Sequence, residues 1–226
     1  MLRFYIVTFF RKFVTMEPTH SYIKQSLLSK KKGDLVFPTD FRGHGTEAAI
    51  KKALSRLTTE GVLRRLSHGI YYIPKIDPVL GEIRPGAEDV AKMIAQKEKV
   101  RIRPAGAYAL HRLGLTTQVP TRLVYITDGS TRQFKVGKMS VNFKATSHKK
   151  LSMVGEISGL VIQALEELDI QHIDNKLAEK IKALLLRENP QNLKHDLSLA
   201  PARINDYIVK LLNPKKGNDR LVEINR

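Results

Sequence analysis

Lys51, Lys52, Ser55, Arg56 and Thr59 recur at the spacing that lines up side chains along one side of a helix. Lysine and arginine in such a row neutralise phosphate oxygens, arginine also reads guanine through two parallel bonds, and hydroxyls reach base edges. A few residues on, Arg64, Arg65 and His68 add further cations and donors. The chemistry these types support is recognition of a polyanion, and bond-breaking motifs do not accompany them. Seven histidines stand at positions 20, 44, 68, 111, 148, 172 and 195, without an HExxH pair or metal-ligand spacing. There is no phosphate loop, GxGxxG run, GxSxG elbow or kinase signature. Gly129-Ser130 reads as a turn, and Glu166, Glu167 and Asp169 as charges on an exposed helix face. No catalytic residue, metal site or cofactor is expected, and the lack of cysteine excludes disulfide and thiolate chemistry.

The row needs a helix to carry it, and TEAAIKKALSRLTTEG supplies one. Ile50, Ala53, Leu54 and Leu57 form its apolar stripe, Thr46 its N-cap and Gly61 its stop. VLRRLSHGIYYIPK then predicts a β-hairpin turning at Ser67-His68-Gly69 and ended by Pro74. Arg64 and Arg65 fall on opposite faces of that hairpin, so one of the two faces a nucleic acid. Upstream, Tyr22, Ile23, Leu27 and Leu28 predict a helix over 20–32, with Thr19 as N-cap, Lys30, Lys31 and Lys32 in its last turn and Gly33 beyond. DLVFPTDF predicts an extended piece, then a brief second helix capped by Thr39 or Asp40 and ended by Gly43 and Gly45. Three helices and a hairpin over 19–83 make a winged helix-turn-helix, whose third helix enters a major groove while the wing lies on the backbone. The same module also serves as a protein-protein scaffold, and any surface helix carries charge on its outer face.

KIDPVLGEIRPG reads as a connector to a second domain over 84–212. There AEDVAKMIAQKE predicts a helix, VRIR a strand, PAGAYALHRLGL a proline-started helix, RLVYITD a strand, and RQFKV with SVNFK a hairpin. From Gly155 onward the pattern is helical, fitted either to internal packing or to a protein partner. The fold class is α+β, an N-terminal winged helix-turn-helix followed by an α+β domain with a helical C-terminal part.

A net charge of +17 points to a nucleic-acid partner. Residues 84–152 hold +10 of it and residues 153–226 none. The basic middle, with Arg101, Arg103, Arg112, Arg122, Arg132, Lys135, Lys138 and Lys144, is either a second polyanion surface or a set of solvated faces. Residues 1–18 read as an extension, with translation starting at Met1 or at Met16, from which the pattern is that of an ordinary domain. The seven-residue apolar run between Arg3 and Arg11 is too short to span a bilayer, and no signal-peptide cleavage site follows it, so a cytoplasmic protein is expected. Residues 213–226 read as a basic flexible tail.

Three strings in this order, AIKKALSRLTTEGVLRRLSHGIYYIPK, RPAGAYALHRLGLTTQVPTRLVYITDG and RQFKVGKMSVNFK, followed by the helix start ISGLVIQAL, resemble the AbiEi-type antitoxins of type IV toxin-antitoxin and abortive-infection systems. The resemblance implies a winged helix that represses its own operon by binding duplex operator DNA. It also implies a C-terminal domain that counteracts a nucleotidyltransferase-like toxin without a stable complex being required. It places operator contacts on Lys51, Lys52, Ser55 and Arg56 and on a wing bearing Arg64, Arg65 and His68, and assigns no catalytic residue. A nucleic-acid-processing enzyme and an RNA-associated basic protein, each using the basic middle, are the alternatives.

Overall fold

A computed structural model describes residues 18–213, so the predicted extension and tail lie outside the described residues except for Pro18 and Asn213. The chain forms two compact units: residues 18–65 with Gly69–Arg84, and Leu66–His68 with residues 85–213.

The first unit opens with helix α1, Thr19–Leu28. Pro18 takes the cap position expected of Thr19, because its fixed φ of −53° and its carbonyl, which accepts from Tyr22 N–H at 3.2 Å, start the helix one residue early. The helix ends before the three lysines. Ser29 Oγ donates to the Ser26 carbonyl at 2.8 Å and Lys31 N–H to the Asp34 carboxylate at 2.9 Å, and these local bonds compete with a further helical turn. Strand β1, Leu35–Val36, leads to η1, Pro38–Phe41, a single 3-10 turn where a second helix was expected. Phe37 N–H donates to Asp40 at 2.9 Å, and Phe41, 1% exposed, is the turn's one buried anchor, too little apolar surface for a longer helix.

Helix α2, Glu47–Thr59, follows the sequence closely: Thr46 Oγ1 accepts from Ala49 N–H at 3.2 Å, and Ile50, Ala53, Leu54 and Leu57 are buried. They pack with Ile23, Leu27, Val36, Phe41, Leu63, Tyr71 and Ile73 into one core. Strands β2, Arg64–Ser67, and β3, Ile70–Tyr72, turn at Gly69, whose φ of +68° needs a residue without Cβ. The sheet order is β1-β3-β2. The expected connector is a second hairpin, β4 Lys75–Asp77 and β5 Gly81–Ile83. Asp77 makes the turn by accepting from Val79 and Leu80 N–H, each at 2.9 Å, a side-chain-made turn that a reading of Pro78 as a breaker passes over.

The second unit is built on a four-stranded sheet of order β6-β7-β9-β8, from β6 Ile102–Pro104, β7 Arg122–Thr127, β8 Arg132–Val136 and β9 Met139–Ala145. β7 and β9 run parallel, and the outer pairs are antiparallel. Pro104 belongs to β6 and does not open the next helix: it pairs with Tyr125, and Ala105 N–H donates to the Val124 carbonyl at 2.9 Å, extending the strand. Two helices accompany the sheet, α3 Ala87–Glu98 and α4 Gly106–Arg112. Tyr108, Tyr125, Phe143 and Phe134 pack edge to face with centroids 5.3 to 5.9 Å apart.

Short α5, His148–Leu151, leads to α6, Glu156–Glu167, then α7 Asn175–Leu185, α8 Pro190–Leu199 and α9 Ala202–Leu212. α6 is apolar nearly all round and is buried accordingly: Ala164 packs with Ala109 and Leu110 of α4, while Val161, Ile162 and Leu165 meet Ile181, Leu185, Ile204 and Ile208. The C-terminal helices thus pack much of their apolar surface within their own unit, while Leu186 and Val209 stay exposed. No helix among the described residues is long and apolar enough to cross a membrane.

Candidate functional site

The outer face of α2 is exposed at Lys51, Lys52, Ser55, Arg56 and Thr59. The five are not equivalent. Glu47 holds Lys51 at 2.5 Å one turn back, and that bond, with the lysine's charge, lowers the glutamate's pKa. Lys52 and Arg56 have no carboxylate partner among the described residues. Thr59 Oγ1 donates to the Ser55 carbonyl at 3.3 Å, leaving its oxygen as an acceptor. α2 is fastened to α1 from its far end, where Glu60 accepts from Lys24 at 2.9 Å and from His20 at 3.0 Å. Lys52, Ser55 and Arg56 therefore form a compact cationic and hydroxyl face on a helix that the core holds in place.

In the hairpin, Arg64 and Arg65 are both exposed. Arg64 Nε donates to Glu82 of β5 at 3.4 Å, and the Tyr72 hydroxyl donates to the same carboxylate at 2.5 Å. Burial, reinforced by that carboxylate, pushes the Tyr72 hydroxyl up to about 12. Arg64 is thus engaged with the second hairpin that the sequence reading passed over. Of the expected wing residues, His68 stands in the turn next to Gly69.

The basic residues of the second unit do not form one surface. Arg101 donates to Asp128 from its backbone N–H at 2.8 Å and from Nε at 2.9 Å, and Arg132 grips Glu98 through both terminal nitrogens at 2.6 and 2.7 Å while lying 5.0 Å over the Phe143 ring. Arg103 is turned inward, donating to the carbonyls of Met153 at 2.5 Å and Gly155 at 3.3 Å. Arg112 pairs with Glu88, as does Lys92 at 2.8 Å. Arg122, Lys135, Lys138 and Lys144 remain exposed without carboxylate partners among the described residues.

Two arrangements were invisible in the sequence. At the start of α6, two carboxylates from later in the chain satisfy the free N–H groups: Glu188 accepts from Ile157 at 2.8 Å and Ser158 at 3.0 Å, and fully buried Asp196 accepts from Val154 at 2.8 Å, Gly155 at 3.0 Å and Ser158 Oγ at 2.5 Å. Burial pushes the Asp196 pKa up, but these bonds and that from His195 outweigh it and leave it lowered. The second is a cleft of about 620 Å³ lined by residues of β7, β9, α6 and the start of α4, including Arg122, Val124, Ile126, Lys144, Lys150, Gln163, Glu166 and Glu167. Glu166, expected on an exposed face, is half-buried and paired with Lys150 at 2.6 Å. Among the described residues no cluster of three or more histidines and carboxylates is arranged to hold a metal.

Over residues 22–193 the chain matches the model of a protein family designated DUF6088, described as a family of unknown function. The chain belongs to that family. No curated protein matches it. Among solved structures, the RV2827C protein from Mycobacterium tuberculosis is similar at 15% identity, with 86% of this chain and 82% of that chain covered and a TM-score of 0.40. The family match takes in α2, both hairpins, the whole four-stranded sheet and the cleft.

Proposed function

We propose that this DUF6088 protein is a cytoplasmic, sequence-specific DNA-binding regulator whose first unit is a winged helix-turn-helix, with α2 as the helix that enters the major groove. The observation that carries the reading is the exposed face of Lys52, Ser55 and Arg56, on a helix locked to its core by Ile50, Leu54 and Leu57 and followed directly by a hairpin. Such a face supplies both phosphate neutralisation and base-edge donors from a rigid element. The resemblance to AbiEi-type antitoxins supports a narrower version: an autorepressor of a toxin-antitoxin operon that opposes a nucleotidyltransferase-like toxin.

The test is a gel-shift titration against the DNA upstream of the gene, with random duplex as competitor, beside a Lys52→Ala/Arg56→Ala double variant. Preference for the upstream fragment, lost in the variant by at least about 1–3 kcal/mol, is the expected result. Equal affinity for both duplexes overturns sequence-specific binding. Co-expression with a neighbouring nucleotidyltransferase-like toxin tests the narrower version, and growth arrest unrelieved by this protein defeats it.

A further inference from the structure

The cleft of the second unit has no part in the DNA-binding reading, and its lining has a definite chemistry. Its floor is the aliphatic surface of Val124 and Ile126 on β7, with Ala105 beside them. Its α6 wall carries Gln163 and Glu166, three residues apart and so on one face of the helix. Gln163 is 2% exposed, yet among the described residues its Nε2 has no hydrogen-bond partner; Oε1 of Glu166 is likewise buried and unpartnered among them, while its Oε2 takes Lys150. Buried polar groups are almost always satisfied, and an exception calls for a cause. A donor beside an acceptor is the complement of an edge presenting an acceptor next to a donor, which every nucleobase offers.

The charges of the cleft fit the rest of such a ligand. Arg122 sits at the start of β7, and Lys144 is the cross-strand neighbour of Ile126 on the parallel strand. Both are exposed, without carboxylate partners among the described residues. With Lys150 and Glu166 paired, Glu167 is the lining carboxylate without a partner among the described residues; it lies near Gly106 and disfavours a heavily charged polyphosphate. A cleft of about 620 Å³ is far larger than inorganic phosphate requires and falls within the range of small-molecule sites.

We propose that this cleft binds a nucleoside monophosphate, the base lying on Val124 and Ile126 with its edge against Gln163 and Glu166, and the phosphate held by Arg122 and Lys144. The experiment is isothermal titration of the full chain with AMP, GMP, CMP and UMP, beside the matching nucleosides and inorganic phosphate. It is repeated with Gln163→Leu and with Arg122→Ala/Lys144→Ala. At least one mononucleotide is expected to bind in about the micromolar to sub-millimolar range, with its nucleoside and phosphate each at least about tenfold weaker. Gln163→Leu is expected to lose that binding at least about tenfold while melting, without ligand, at the wild-type temperature or above it, since it removes an unsatisfied donor. Loss in the Arg122/Lys144 pair supports the phosphate assignment. Three results overturn the proposal: no mononucleotide binding at about 1 mM, phosphate binding as tightly as the nucleotide, or unchanged affinity in Gln163→Leu. The last also separates the cleft from the α2 face, where a mononucleotide would bind regardless of Gln163, so either reading can fail without the other.

Discussion

Lys51 and Lys52 are neighbours in sequence with different electrostatic surroundings: Glu47 holds the first, and among the described residues no carboxylate holds the second. Lys52→Ala should therefore weaken DNA binding more than Lys51→Ala in a fluorescence-anisotropy titration. Glu47→Gln should tighten binding to any duplex, because it frees Lys51 and removes a negative charge from the same turn; weaker binding by that variant would show that α2 does not face the phosphates. The row of α2 residues was legible because helical period and capping are local, as in the Thr46 bond to Ala49 N–H. Asp196 was not, since its partner Ser158 lies 38 positions away. Asp196→Asn weakens several bonds to a charged acceptor, each worth about 1.5–3 kcal/mol, and should lower the urea midpoint of the second unit without changing DNA affinity.

At the scale of elements, α6 is defined by how closely its neighbours approach. A Cβ at Gly159 would run into the guanidinium of Arg103, which bridges β6 to the carbonyls of Met153 and Gly155. Gly159→Ala should destabilise the fold by about 1–3 kcal/mol, the cost of overpacking. If the clash is with the guanidinium, a double-mutant cycle with Arg103→Ala will show coupling between the two sites, and simple additivity would place the strain elsewhere. α3 carries a pH-sensitive contact. Burial pushes Glu88 up, but bonds from Lys92 and Tyr108 and the charge of Arg112 prevail and hold its pKa at about 2, against an ordinary 4.5. A lowered carboxylate contributes stability that is complete above its unfolded value and is lost as the pH falls, here between 4.5 and about 2. Glu88→Gln should flatten that acid limb of the thermal-melt profile. Helices with one apolar stripe were readable from period alone. The β4–β5 hairpin was missed because Asp77 makes its turn through its side chain, and the α4 boundary shifted because Pro104 found a strand partner in Tyr125.

Over the whole molecule, the +17 charge correctly singles out a cationic chain but misstates where the cations are available. Composition counts residues 84–152 as the most basic stretch, whereas Arg101, Arg112 and Arg132 there are each tied to a carboxylate. DNA affinity should fall linearly on a log-log salt plot with a slope of about 0.9 per neutralised phosphate, and Lys52→Ala/Arg56→Ala should reduce that slope by about two such steps if both touch phosphate. An unchanged slope would move the phosphate contacts to other residues. The cleft was unreadable for a related reason: Gln163 and Glu166 come from one helix, Arg122 and Lys144 from two strands, and only the parallel pairing of β7 with β9 brings the strands together. The capping of α6 has a consequence for synthesis. A ribosome adds Glu188 and Asp196 only after the sheet and α6, so that helix lacks both capping carboxylates until the chain has been made past Asp196. Translation stopped between the two regions leaves a product with the strands and α6 but without the carboxylates that cap that helix, and so less stable than the longer chain.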